Sequence, residues 1–196
     1  MPKSTKNYPM TYFYFPSIHS LICLLLEIVY LSPMMSKAVI CLLLALACDA
    51  HAETVTGRVV GVADGDTITV LDADKVQQKI RLAGIDAPEK KQAFGNRSKE
   101  SLSDMVFDKT VNVETEKRDR YGRQIGKVLV DGLDVNLVQV ERGMAWFYRQ
   151  YQREQSPNDR RLYEAAEDAA KAGKRGLWSD SEPVPPWDFR HNKSKS

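Results

Sequence analysis

Two β-branched runs meet head to tail at Asp64-Gly65-Asp66 in VTGRVVGVADGDTITVLDAD, residues 55–74. Asp-Gly between alternating apolar residues is a strong hairpin signal. The folded part of this chain therefore starts as antiparallel sheet. VQQKIRLAGI, residues 76–85, supplies a third strand, TVNVETE, residues 110–116, a fourth, and QIGKVLV, residues 124–130, a fifth. Helices are predicted between and after them. NRSKESLSDMVFDK, residues 96–109, places Leu102, Met105 and Val106 at helical spacing, with Asn96 as the expected N-cap. Asp134 is positioned to cap a short helix, VNLVQVER, that Gly143 stops. PNDRRLYEAAEDAAKAG, residues 157–173, is the clearest helix, with Leu162, Ala165, Ala166, Ala169 and Ala170 expected on one face. Five strands with helices after the third and fifth predict an α+β, β-rich architecture: a five-stranded OB-type Greek-key barrel with three helices.

Domain organisation follows from the ends. Residues 38–48, AVICLLLALAC, are preceded by Lys37 and followed by Ala50-His51-Ala52. That is a charged region, a short apolar region and a small-x-small cleavage site. The apolar run is shorter than the roughly 20 residues that cross a bilayer. Residues 35–52 are read as a signal peptide, with Glu53 as the mature N-terminus and a periplasmic or secreted destination. Residues 1–34 are read as a mis-assigned N-terminal extension. A membrane anchor over LICLLLEIVYL would have to hold Glu27 at mid-bilayer. Lipid attachment at Cys48 fits poorly with Ala45 three residues before it. Residues 53–180 form one domain, and residues 181–196 a Pro-rich and then polar tail in which Trp187 packs back on the body.

The chemistry is narrowed by what residues 53–196 lack. They hold none of the three cysteines, so an exported product would carry no disulfide. Their only histidine is His191, in the tail. Ser-His triads, histidine metal clusters and paired-histidine acid–base chemistry are excluded. Catalysis here runs on carboxylates and arginines. Near-neutral net charge decides nothing, and the distribution of charge matters more.

Three stretches carry that distribution. DGDT, residues 64–67, is by itself a hairpin turn, unless Asp66 points its carboxylate across the barrel mouth. RLAGIDAPE, residues 81–89, puts Arg81 in the same strand row as Ala83 and Ile85. A buried guanidinium needs an anionic partner or ligand. Asp86 leaves the strand end, and Pro88 stiffens the loop that returns Glu89. RDRYGRQ, residues 118–124, reads as a solvated basic turn, with Arg123 at the junction where its side chain can turn inward. Together the three are more specific. Acids meeting at one barrel mouth repel unless a cation neutralises them, and carboxylate and carbonyl oxygens suit Ca²⁺. Two guanidinium forks suit one phosphate. A carboxylate beside that phosphate can orient or deprotonate water.

The ordered set DGDT, RLAGIDAPE, DRYGR and GLW resembles the staphylococcal (thermo)nuclease family over residues 55–178, and PPWDFR is similar to the tail of many secreted bacterial members. The resemblance implies a Ca²⁺-dependent endonuclease cleaving DNA and RNA, preferring single strands, leaving 3′-phosphate ends and acting as a monomer. Matched residue by residue, Asp66, Asp86 and the backbone carbonyl of Ala87 are the metal ligands. Glu89 is the general base, and Arg81 and Arg123 are the phosphate-binding arginines. Ala87 stands where Thr is commoner. The Lys-rich loop of the family shrinks here to KKQAFG. Tyr151 matches one tyrosine of a base-stacking pair, and Arg149 stands at the other position. The alternative is a catalytically inert nuclease-like module that holds nucleic acid. An OB-type sugar binder is disfavoured by two arginines aimed at one point.

Overall fold

The computed structural model describes residues 53–193. The signal segment, the upstream extension and residues 194–196 lie outside the described residues. Strand β1 (Glu53–Val62) pairs antiparallel with β2 (Thr67–Asp72). The Asp-Gly turn between them closes through Ala63 N–H donating to the Thr67 carbonyl at 2.9 Å. β2 pairs antiparallel with β3 (Gln77–Leu82), β1 with β5 (Thr110–Arg118), and β5 with β6 (Gln124–Val130). β6 then meets β3 in parallel, with Ile80 opposite Gln124 and Leu82 opposite Gly126, so five strands close into the expected barrel. The two-residue β7 (Leu133–Asp134) extends β6, while β4 (Ile85–Asp86) pairs separately with β8 (Trp146–Phe147). Closure leaves no edge along the barrel wall, and alternate residues point inward. Val59, Ile68, Val70, Ile80, Leu82, Val113 and Val128 fill the interior.

Among the described residues there are four α-helices, one more than expected: α1 (Gly95–Val106), α2 (Val135–Glu141), α3 (Pro157–Ala172) and α4 (Pro186–Lys193). Short 3₁₀ turns cover Arg149–Glu154 and Gly176–Ser179. The fourth helix lies in the segment read as an irregular tail. α1 buries Leu102, Met105 and Val106 as expected, but Asn96 does not cap it. Phe94 takes the cap position at a φ of 64°. The incoming loop winds as two tight turns, Gln92 N–H to Glu89 O and Gly95 N–H to Gln92 O, which carries the chain into the helix two residues early. A side chain at Gly95 would run into the Glu89 carbonyl.

α3 is rotated from its expected face. Tyr163, Ala166, Glu167 and Ala170 are buried, while Leu162 is 45% exposed. Polar partners set that rotation. The Tyr163 hydroxyl donates to Asp134, and the fully buried Glu167 carboxylate accepts from Phe147 N–H, Arg149 and Lys171. Asp134 caps α2 as predicted, accepting from Leu137 N–H at 3.0 Å.

Two buried amides on α2 fix the end of the barrel. Asn136 accepts from Val128 N–H at 3.1 Å and donates to the carbonyls of Ala83 at 3.0 Å and Gly126 at 3.1 Å, straddling the β3–β6 seam. One turn on, Gln139 donates to the carbonyls of Gly65 and Ser98, tying the β1–β2 loop to α1. Buried amides of this kind leave backbone groups unpaired when removed, at about 1–3 kcal/mol per group. Asn136→Ala is therefore expected to destabilise the protein by about 3 kcal/mol. A lower denaturant midpoint at unchanged m-value checks this, and an unchanged midpoint would show that the seam does not depend on Asn136.

Candidate active site

The seam held by Asn136 ends where β3 gives out. Arg81 is the second-last residue of β3 and lies opposite Thr67 at the start of β2. Its side chain is only 14% exposed. Nη1 lies 3.0 Å from Asp66 Oδ2 and donates to the carbonyls of Leu82 and Ile85. Nη2 donates to Asp86 Oδ1 at 2.9 Å. The expected anionic partners of this arginine are thus both of the predicted metal-ligating aspartates. Gly84, at a φ of 73°, turns the chain between Arg81 and Asp86 so that one guanidinium reaches both ends of its own strand turn.

Asp66 is buried at 5% exposure. Its Oδ2 accepts from Ala87 N–H at 2.6 Å and its Oδ1 from the Thr67 hydroxyl at 3.1 Å. Burial pushes its carboxyl up to about 7, with Arg81 opposing and Asp64 and Asp86 adding to the rise. Asp86 is 1% exposed and holds three guanidinium contacts. Pro88 is buried, and Glu89 follows it with a side chain 40% exposed, so the loop does bring the second acid back beside Asp86.

Arg123 sits at the edge of this cluster. The 119–123 turn is built on Asp119, whose carboxylate accepts from Tyr121 N–H, Arg123 N–H and Arg123 Nε. Burial would raise the Asp119 carboxyl, but these hydrogen bonds and the Arg123 charge hold it below the usual range. Arg123 Nη1 donates to the Thr67 hydroxyl at 3.5 Å, and Thr67 in turn donates to Asp66. Arg123 thus joins the aspartates through one hydroxyl. Tyr121 is 70% exposed, with the guanidinium groups of Arg120 and Arg123 against its ring.

Tyr151 lies in the 3₁₀ turn Arg149–Glu154. Its ring stands edge-on to Tyr148 at 5.1 Å, with Lys117 over its face at 5.5 Å. Arg149 turns away to pair with Glu167 and Glu164. The aromatic partner of Tyr151 is therefore Tyr148, three residues away, and sequence matching passed over it. Burial, and after it the Asp86 charge, pushes the Tyr148 hydroxyl above its usual range.

A second residue passed over is Arg190. From α4 it donates Nη1 to Asp86 Oδ1 at 3.2 Å and to Glu89 Oε1 at 2.8 Å, and Nη2 to Asp86 Oδ2 at 2.8 Å. The PPWDFR run was visible in the sequence, but its placement on the barrel mouth was not.

The donor set fits a hard cation. Asp66 is a buried carboxylate whose charge is incompletely offset, and Asp86 lies close enough to repel it. Among the described residues no three Asp, Glu, His or Cys side chains converge as a metal cluster. A cation here would rest on Asp66, Asp86 and the Ala87 carbonyl, with solvent completing its oxygen shell.

A sequence model described as staphylococcal nuclease homologue matches residues 79–180. That span contains Arg81, Asp86, Ala87, Glu89, Arg123 and Tyr151, while Asp66 and Arg190 flank it. An uncharacterized endonuclease of Escherichia coli O157:H7 is 47% identical over 149 residues, covering 76% of this chain and 90% of that protein. Protein ParB of Escherichia coli is 41% identical over 82% of this chain and 93% of its own length. A micrococcal nuclease of Shigella flexneri is 40% identical over 68% of this chain and 79% of its own length.

The raised Asp66 carboxyl has a consequence for stability. Its folded value lies above its ordinary value of 3.8, so the native state binds the proton more tightly than the unfolded chain. Stability is then lost as pH rises from about 4 through about 7. Asp66→Asn keeps an oxygen for Ala87 N–H and removes the charge. In chelator at pH 8 it is expected to raise stability by on the order of 1–2 kcal/mol, a gain that fades by pH 4. Denaturant unfolding at both pH values measures it, and a pH-independent difference would remove the electrostatic cause.

Proposed function

As a member of the staphylococcal nuclease family the chain is a nuclease, and we propose that it is a Ca²⁺-dependent endonuclease that hydrolyses DNA and RNA to 3′-phosphate ends. The convergence of Asp66, Asp86, Glu89 and Arg81 at one end of the barrel carries this reading. Calcium, when bound by Asp66, Asp86 and the Ala87 carbonyl, supplies positive charge beside the scissile phosphate. Arg123 meets the phosphate from the side of the 119–123 turn, where its guanidinium is 28% exposed. Arg81, largely spent on the aspartates, offers the phosphate its positive field and the remaining edge of its fork.

Glu89 orients a water against the phosphorus and takes its proton as the new P–O bond forms. The bond from phosphorus to the 5′ oxygen breaks, and that oxygen leaves with its electron pair and takes up a proton from solvent. The products are a 3′-phosphate and a 5′-hydroxyl. The attack adds a second negative charge to the phosphate oxygens, and fixed cationic donors stabilise that charge without reorganising.

Tyr151 and Tyr148 form an edge-to-face aromatic pair beside the site. A base stacking there would be taken with little regard to its identity. An unpaired base reaches a stacking surface without the cost of leaving a duplex, which favours single strands. The apolar run and small-x-small site before Glu53 support export to the periplasm or beyond. Action as a monomer is part of the same proposal.

Digestion of a single-stranded oligonucleotide with Ca²⁺ or with chelator tests the proposal. Cutting that requires Ca²⁺ and leaves 3′-phosphate supports it. Tight binding without cutting would instead make the chain a nucleic-acid-binding relative. Glu89→Gln is expected to retain calcium and nucleotide binding and to lose about 10²–10⁴-fold in single-turnover rate. Arg123→Lys is expected to lose about 10²–10³-fold, because an ammonium does not reproduce the planar fork. Wild-type rates for Glu89→Gln would remove its base role.

A further inference from the structure

The last helix has no place in the mechanism above, yet it reaches the reacting end of the barrel. Trp187 stacks on Tyr148, with ring centroids 5.5 Å apart and planes 12° from parallel, and meets Trp146 edge-on at 5.6 Å. Upstream, Gln92 donates to the Val184 carbonyl at 2.5 Å. Trp187 and Arg190 are three residues apart on α4, so they share a helix face. The aromatic anchor thereby sets where the guanidinium goes.

Arg190 engages Asp86 through both of its outer nitrogens and Glu89 through Nη1. Among the described residues it is the side chain that pairs with the Glu89 carboxylate. The loop holds Glu89 through that residue's own backbone: the Gln92 side-chain oxygen accepts from the Glu89 N–H, and the Glu89 carbonyl accepts from Gln92 N–H. Backbone contacts place the Glu89 Cα and leave the carboxylate free to rotate. A half-exposed glutamate with several rotatable bonds does not hold one direction unaided. The Arg190 contact holds Oε1 and so sets the direction of the group.

We propose that Arg190, delivered by α4 and anchored through Trp187, is a positioning residue that holds the Glu89 carboxylate beside Asp86 in the orientation that hydrolysis requires. The proposal rests on the nuclease reading of the site. It gives the C-terminal segment a task in turnover that the barrel alone does not perform. Outer-shell partners of this kind typically contribute about 10–100-fold. Arg190 is 44% exposed and lies outside the barrel core, and Asp86 keeps its contact with Arg81 when Arg190 is removed, so the fold is expected to survive its loss.

The test combines turnover, calcium binding and a mutant cycle. Arg190→Ala should lower kcat on a short single-stranded oligonucleotide by about 10–100-fold at saturating Ca²⁺, with KM changed far less. Calorimetric calcium binding should be no weaker than in wild type, because a positive charge near the cation has been removed. Arg190→Lys should recover only part of kcat, since one ammonium does not span both carboxylates. Added guanidinium ion should restore part of the Arg190→Ala rate and none of the Glu89→Gln rate. Trp187→Ala should lower kcat similarly, and the double variant should fall no further than Arg190→Ala alone.

An unchanged kcat for Arg190→Ala overturns the proposal. So does a raised kcat together with tighter calcium binding, which would make α4 a strap competing with the cation. Additive losses in the double variant overturn the link through Trp187. If wild-type protein itself does not cut with Ca²⁺, the nuclease reading fails first. If wild type cuts and Arg190→Ala cuts equally well, only the positioning role fails.

Discussion

One guanidinium between two buried acids organises this molecule's working end. Arg81 joins Asp66 at the start of β2 to Asp86 just past β3, and also takes the carbonyls of Leu82 and Ile85. It is the guanidinium that meets buried Asp66, and it shares Asp86 with Arg190. An isolated buried charge costs several kcal/mol, so removing Arg81, which would strand the acids rather than neutralise one, is the change expected to cost about 3–5 kcal/mol. The same contacts hold the strand end in the bend that Gly84 permits. Electrostatic pairing and backbone shape are therefore one device here. It also divides labour between the two arginines. Arg81 is largely committed to the protein, while Arg123 presents itself from a turn that Asp119 has already folded.

That arrangement depends on the barrel seam behind it. Among the described residues the β3–β6 junction is the one parallel contact between otherwise antiparallel strands. Parallel pairing is slightly weaker per residue, and here it spans only three residue pairs. Asn136 reinforces it from α2 by engaging backbone groups on both strands. Gln139, one turn further, holds the loop that carries Asp66. A seven-residue helix thus transmits the closure of the barrel to the geometry of the carboxylates. The largely apolar core fixes the barrel, and these two amides fix where its mouth lies.

The barrel was legible in sequence because its signals are local. Period-two alternation and Asp-Gly turns are read within a few residues, and all five wall strands were found this way. Arg81 in an apolar row was also a local anomaly, and it announced a buried anionic partner. What escaped reading involved partners far apart. Glu167 looks like an ordinary surface acid of α3, yet it is fully buried because Phe147 N–H and Arg149 wait for it some twenty residues away. Asn96 is a good cap by type, but the tight 89–95 turns start the helix before it. Tyr148 was hidden by the search for tyrosines two apart. Arg190 lies 104 residues from Asp86, and no local pattern specifies that meeting.

The charge balance of the mouth explains why so distant a residue is drawn in. Asp66, Asp86 and Glu89 place three carboxylates in one neighbourhood, with Asp64 close enough to raise the Asp66 carboxyl further. Arg81 meets two of them, and Arg123 is engaged with Asp119. Glu89 and the outer oxygen of Asp86 would otherwise face solvent with like charge beside them. A mobile lysine could screen that charge, but it would not order it. A guanidinium on a helix pinned by stacked aromatic rings does both, because its fork is planar and its root is fixed. The set of acids is therefore completed by the last helix, which reaches Asp86 and Glu89 from its anchor on Tyr148 and Trp146. The working end of this protein is completed from both ends of its folded chain, with the central seam holding the two together.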